Sequence, residues 1–283
     1  MLFLILSIVC SVSVGVIFKI ARSYSINISQ IVAANYFFAL ALCYFFFSPN
    51  LSAVRVDAPW GIYIALGVLL PSIFLFLAAS IKYMGIAKTD SAQRLSLFIP
   101  ILAAWLIFGE KFNMLKIAAF GIAFPALLLI LNKPSENPKN KWIYPAIVLI
   151  GFGLIDILFK QIALFTNLPY TTSLFIVFGL ALVIMTAVVG FEIGFKNAKL
   201  NHKNLLFGGL VGIFNFGNIL FYLKAHQSFA ENPSTVFAGM NMGVIILGSL
   251  TGIFIFNEKL SKLNYAGLFL ALIAIVLIVT SQQ

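Results

Sequence analysis

Asp156 follows Gly-Phe-Gly-Leu-Ile and precedes Ile-Leu-Phe, well inside an apolar run. An ionisable group there is expensive to bury, so it implies a substrate, an ion or a side-chain partner. Lys160 lies four residues on, one helical turn away on the same face, where the two can pair. One chemistry for the pair is substrate or coupling-ion binding, with Asp156 taking up and releasing a proton. The other is a structural ion pair packed against a neighbouring helix. Gln93 and Arg94 form a second cluster, about a turn inside another run. Arg94 either holds a carboxylate or phosphate bidentately or snorkels to the nearby interface. Asn215 and Asn218, three apart in IFNFGNILF, share one face of a third run, and buried amides there need partners. Whether they meet substrate or another helix stays open. Asn241, in GMNMGV, is the remaining polar candidate.

Other chemistries have little to stand on. There is no Gly-rich phosphate loop and no Ser/His/Asp set; His202 and His226 stand apart from any second ligand, and Cys10 and Cys43 lie in apolar runs without metal-ligand spacing. We therefore expect no enzyme, no ATP-driven pump, no metal and no cofactor.

The elements that must hold these residues follow from composition. Hydrophobic residues make up 62% of the 283, charged residues 9%, and mean hydropathy is +1.07. A soluble domain carries about 25% charged residues, so most of this surface must face lipid. The net charge of +10 sits mainly between apolar runs, which fits interface anchors and not nucleic-acid binding. MLFLILSIVCSVSVGVIF lacks a basic leading region and a small-residue cleavage site, and reads as a first span.

At about 20 apolar residues per span, ten runs qualify: Leu2–Ile20, Ile28–Phe47, Trp60–Lys82, Thr89–Gly109, Asn113–Leu131, Trp142–Gln161, Tyr170–Phe191, Asn204–His226, Pro233–Asn257 and Leu263–Thr280. Asp90 is placed to cap the fourth, and Asn232-Pro233 starts the ninth. All must be helices, since an open sheet would leave backbone groups unpaired in lipid. NKPSENPKNK is the one clear polar linker. The division is residues 1–131, a linker 132–141, and residues 142–283.

The two parts echo one another. SLFIPILAAWLIFGEK (Ser96–Lys111) returns as VIILGSLTGIFIFNEK (Val244–Lys259), 148 residues later. Leu102/Leu250, Ile107/Ile255, Phe108/Phe256, Glu110/Glu258 and Lys111/Lys259 are identical. The second copy has Gly248 for Pro100 and Asn257 for Gly109, so the ninth helix should be straighter than the fourth. Five spans per half is odd, which turns the second half over relative to the first. The chain thus reads as an all-α integral membrane protein of ten transmembrane helices in two inverted five-helix repeats.

This pattern resembles the drug/metabolite transporter superfamily, in its EamA-like branch. GIAKTDSAQRLSLFIPILAAWLIFGEKF looks like that family's fourth-helix region, with small residues, an internal proline and Gly-Glu at the end. The resemblance implies a central cavity walled by both halves, alternating access and no bound cofactor. The expected function is secondary active transport of a small metabolite, such as an amino or organic acid, outward across the cytoplasmic membrane. A non-transporting scaffold or lipid-handling protein is the competing class. The bilayer and a small-molecule substrate are the expected partners; a monomer is compatible with this reading.

Lys19, Lys82 and Lys224 read as interface anchors. Glu110 and Glu258 read as interfacial residues closing a turn, or alternatively as a gate. Arg22, Lys88, Lys133, Lys139, Lys141, Lys196, Lys199, Lys203, Lys259 and Lys262 fall on the linker's side, against Arg55, Lys111 and Lys116 opposite. The positive-inside rule then puts the linker in the cytoplasm and both termini outside.

Overall fold

A computed structural model describes residues 1–21, 23–24, 26–54, 58–84, 86–130, 141–165, 167–257 and 261–281. Most of the 132–141 linker, and Glu258 with Lys259, lie outside the described residues. Among the described residues all regular structure is helical: α1 (Leu2–Ala21), α2 (Ile28–Phe47), α3 (Trp60–Met84), α4 (Ile86–Leu95), α5 (Phe98–Leu106), α6 (Met114–Ile130), α7 (Ile143–Leu164), α8 (Tyr170–Lys196), α9 (His202–Ser228), α10 (Pro233–Phe256) and α11 (Lys262–Thr280), with a short 3₁₀ turn at Leu51–Ala53. Eight of these are long and apolar enough to cross a bilayer; Ala92–Leu106 and Met114–Ile130 are shorter. Large apolar side chains such as Phe45, Leu106, Val183, Phe195 and Phe254 stand on the outside, where lipid replaces water as their solvent.

The fourth expected span is broken into α4 and α5. Pro100 has no N–H for the Ser96 carbonyl, which takes the N–H of Ile99 at 3.0 Å instead, while Leu97 N–H tightens onto Arg94. Its counterpart α10, with Gly248 at the matching place, runs unbroken for 24 residues. Gly109 (φ 66°) and Asn257 (φ 52°) both adopt the left-handed conformation that ends the repeated segment, and glycine and asparagine are the residues that do so at least cost. Because α4 begins at Ile86, Asp90 falls inside the helix and not at its cap.

The bundle is assembled mainly across the linker. α6 packs on α11, α2 on α8 and α9, α1 on α9 and α10, α3 on α7 and α8, α7 on α4 and α5, and α5 on α10. Hydrogen bonds define two ends. At one, Asn113 of the α5–α6 turn donates to the Ser281 carbonyl beyond α11. At the other, Asn204 of α9 donates to Gln30 of α2, and Asn27 and Ser29 donate to Glu192 of α8. We call these the terminus end and the linker end.

The α2–α9 seam is set by Gly208 and Gly212, one turn apart. A Cβ at Gly212 would lie 2.7 Å from the Asn35 carbonyl, and one at Gly208 2.7 Å from that of Ile31. Small residues four apart let helix backbones approach this closely in lipid. The same seam lets Asn215 donate to Asn35 at 3.0 Å, fixing a cavity residue from behind. Gly212→Leu is expected to cost about 3 kcal/mol by overpacking and to lower the apparent unfolding temperature in detergent. Gly190→Ala, whose added Cβ meets nothing within 4 Å, should leave it unchanged.

Candidate functional site

Between α1, α3, α4, α7, α9 and α10 lies a cavity of about 590 Å³. Its lining comes from the second half of α1, the middle and end of α3, α4 through its last turn, the middle of α7, the C-terminal half of α9 and most of α10. It therefore reaches from the linker end past mid-bundle, as far as Phe159 and Tyr222. Asp156, Gln93, Arg94, Asn215, Asn218 and Asn241 all line it, brought together from four helices.

Asp156 is the deepest charged group. It sits 13 residues into α7, about 20 Å from that helix's start at 1.5 Å per residue. Its Oδ1 accepts from the Tyr222 hydroxyl of α9 at 2.8 Å. Asn218 lies one turn from Tyr222 and accepts the buried Ser7 hydroxyl of α1 at 2.8 Å. Asn215 and Asn218 thus each grip a neighbouring helix, and each also lines the cavity. Asn241 donates to the Phe237 carbonyl of its own helix at 3.0 Å. Arg94 is half-buried on α4.

The expected Asp156–Lys160 pair does not form. Lys160 is fully buried and absent from the cavity wall; its Nζ donates to the Ala230 carbonyl at 2.8 Å and to that of His226 at 3.4 Å. The last turn of α9 and the loop after it offer carbonyls with no helical partner, and these draw the ammonium away from the carboxylate on its own helix. Two further expectations change. Lys19, read as an interface anchor, lies at the cavity mouth over the Phe256 ring, 3.8 Å from its centroid. Lys116, counted as a loop cation, is buried at 2% exposure.

Tyr222 was not singled out in the sequence, although Asn215, Asn218 and Tyr222 share a helical face at i, i+3 and i+7. His226 continues that face. It is fully buried, edge-on to Tyr222 and Phe237, and neither ring nitrogen has a hydrogen-bond partner among the described residues. Among those residues no group of His, Cys, Asp or Glu is placed to hold a metal ion.

Glu110 was also underrated. It is 4% exposed at the terminus end. Its Oε2 accepts the Ser234 N–H at 2.8 Å and its Oε1 the Ser234 hydroxyl at 2.5 Å. Lys116 Nζ bridges Glu110 Oε1 at 2.5 Å and Asn232 Oδ1 at 2.6 Å. Asn232 stands at the N-cap position of α10 but makes no side-chain cap there. The Glu110 carboxylate caps that helix instead, where the dipole favours a negative charge.

Comparison with known proteins agrees with this architecture. Over 284 aligned residues the chain is 42% identical to a Haemophilus influenzae protein described as uncharacterized, covering 96% of this chain and 95% of that one. A crystal structure of another protein superposes with a TM-score of 0.71 over 99% of this chain and 96% of that one; at 12% identity this speaks for the fold alone. Residues 1–132 match the model of the EamA-like transporter family. This match identifies residues 1–132 as an EamA-like transporter unit, and with the helical bundle and the apolar exterior it supports a multi-pass membrane protein of the drug/metabolite transporter type.

Proposed function

We propose that this protein is a secondary active transporter that exports a small amino or organic acid across the cytoplasmic membrane by alternating access, with no cofactor and no catalytic step. The observation that carries the proposal is the cavity, about 590 Å³ and open toward one end of a lipid-embedded bundle, with a carboxylate at its floor and cations nearer its mouth. That volume falls within the about 300–1,000 Å³ range of small-molecule sites.

The charge layout favours a zwitterion. A substrate ammonium fits the Asp156–Tyr222 floor, and a carboxylate fits Arg94 of α4 and Lys19 of α1, which lie closer to the linker end. Asn215, Asn218 and Asn241 supply neutral polar contacts between them.

Alternating access in this reading comes from two five-span halves of opposite orientation, residues 1–131 and 142–283. The helix contacts support it. Exchanging α1 with α7, α2 with α8, α3 with α9, α4–α5 with α10 and α6 with α11 turns most of the largest contacts into one another: α1 on α9 becomes α7 on α3, and α2 on α9 becomes α8 on α3. α6–α11, α2–α8 and α5–α10 map onto themselves. Such pairing lets one half rock against the other around a central site.

The charges support a cavity that faces the cytoplasm, the side from which an exporter loads. Lys141, Lys196, Lys199, Lys203 and Lys262 lie near the linker end, and burying Lys116 removes one of the few cations counted opposite. The positive-inside rule puts the linker end, and so the open cavity, in the cytoplasm.

The test is uptake into proteoliposomes, scanning zwitterionic and carboxylate metabolites. Arg94→Ala is expected to raise the apparent KM for the transported acid by about 10- to 100-fold, the worth of one hydrogen bond to a charged group. Equal transport by wild type and variant would remove Arg94 from the site. No movement of any metabolite would favour the scaffold reading.

A further inference from the structure

Past Asp156, toward the terminus end, the bundle holds a cluster of buried charged and polar groups set among apolar side chains such as Phe237 and Ile162. Glu110, Lys116, Lys160, His226 and Ser234 are all at most 4% exposed. Glu110, on the turn after α5, caps the start of α10; Lys116, at the start of α6, clamps Glu110 and Asn232. Lys160 of α7 closes on the carbonyls of His226, in the last turn of α9, and of Ala230, just after it, and lies within electrostatic reach of Glu110. Apart from the Glu110–Lys116 pair, six residues apart, these contacts join segments distant in sequence.

A buried ion pair adds little stability over an apolar one of the same shape, because desolvation offsets the attraction. Its distinctive property is that it has two good states. Dry, carboxylate and ammonium satisfy each other; wet, water satisfies both, so the closure can open without stranding a charge. A plug of leucines has no such alternative. The cluster is also tied to the cavity floor by two helices: Lys160 sits one turn beyond Asp156 on α7, and His226 one turn beyond Tyr222 on α9. Any movement of the Asp156–Tyr222 contact is delivered to the cluster one turn away. Gly109, at φ 66°, reverses the chain so that Glu110 is presented inward, its own N–H held by the Ala104 carbonyl at 2.9 Å.

We infer that Glu110, Lys116 and Ser234 are the gate that shuts the cavity from the terminus end, positioning residues whose separation admits substrate or water from that face. This rests on the alternating-access reading, but the test below reads access and needs no substrate.

The reporter is Ala238→Cys in a Cys10→Ala, Cys43→Ala background. Ala238 is fully buried on α10, one turn inward of Ser234 on the same face. A membrane-impermeant maleimide is added to right-side-out and inverted vesicles holding the full chain, and exposed Leu2→Cys reports which face carries the terminus end. With the gate intact, Ala238→Cys labels slowly from both faces. Adding Glu110→Gln is expected to raise the rate by about 10-fold or more from the terminus face alone, the mark of a shifted two-state population. Ser234→Ala, which removes only the hydroxyl, should give a smaller rise from the same face. Should Glu110→Gln fail to fold, Ser234→Ala decides. An unchanged rate in the variant that folds, or a rise from the linker face, overturns the gate. A one-sided rise in a protein that moves no metabolite leaves the gate standing and removes the transport reading.

Discussion

Asp156→Asn is expected to stop transport of an ammonium-bearing substrate, lowering the rate at limiting concentration by about 10- to 100-fold, the worth of a hydrogen bond to a charged group. Asparagine keeps the shape of the side chain and an oxygen for the Tyr222 hydroxyl, the one side-chain hydrogen bond of Asp156 among the described residues. The bundle should therefore keep its unfolding temperature, and loss of transport would not reflect loss of fold. Tyr222→Phe should cost less, because it removes a bond to the carboxylate and leaves the charge in the cavity. The pair of variants also reads the substrate. An amino acid would lose both its counter-charge and its orientation at Asp156, whereas a dicarboxylate would be held less poorly once the repelling carboxylate is gone. Transport of an amino acid by Asp156→Asn at the wild-type rate would make Asp156 a structural residue and end the zwitterion reading.

The helices were legible in the sequence because length in apolar residues is a local property. Ile28–Phe47 and the starts of α3, α8 and α10 agree with the run boundaries, and the weak place in the fourth span follows from Pro100 alone. The polar residues of the cavity were legible for the same reason: an Asp, an Arg or paired Asn inside such runs stands out against its own neighbours. Their partners were not. Lys160 is one turn from Asp156, and nothing local reveals that the end of α9 and the loop after it, 66 and 70 residues on, each offer it a carbonyl. Tyr222 blends into an aromatic-rich run until Asn215 and Asn218 are projected onto the same face. Glu110 follows directly on the end of an apolar helix, which is the usual signature of an interface; only Ser234, 124 residues later, buries it. Periodicity tells which face of a helix is polar, and burial depends on which helix arrives to cover it.

Glu110 and Lys116 carry the largest stability effect expected in the protein. Side-chain exposure is 1% for Glu110 and 2% for Lys116, so the two charges have been taken out of water together. Lys116→Met removes the cation and leaves the carboxylate buried with the Ser234 donors, a loss of roughly 3–5 kcal/mol for breaking one side of a buried pair. At about 2–4 °C per kcal/mol for a chain of some 150–250 residues, the apparent unfolding temperature in detergent should fall by on the order of 10 °C. The double variant Glu110→Gln, Lys116→Met removes both charges, keeps a carbonyl oxygen for Ser234 and should recover more than half of that loss. Recovery is the informative result. It would mean that the single-variant cost comes from a stranded charge and not from lost packing, and that charge at this position is not needed to hold the bundle together. A double variant as unstable as Lys116→Met would point to the methylene stem and its contacts. Recovery of stability while Ala238→Cys still labels faster from the terminus face is the combination a gate requires, because a neutral pair can hold the bundle together but no longer favours the shut state.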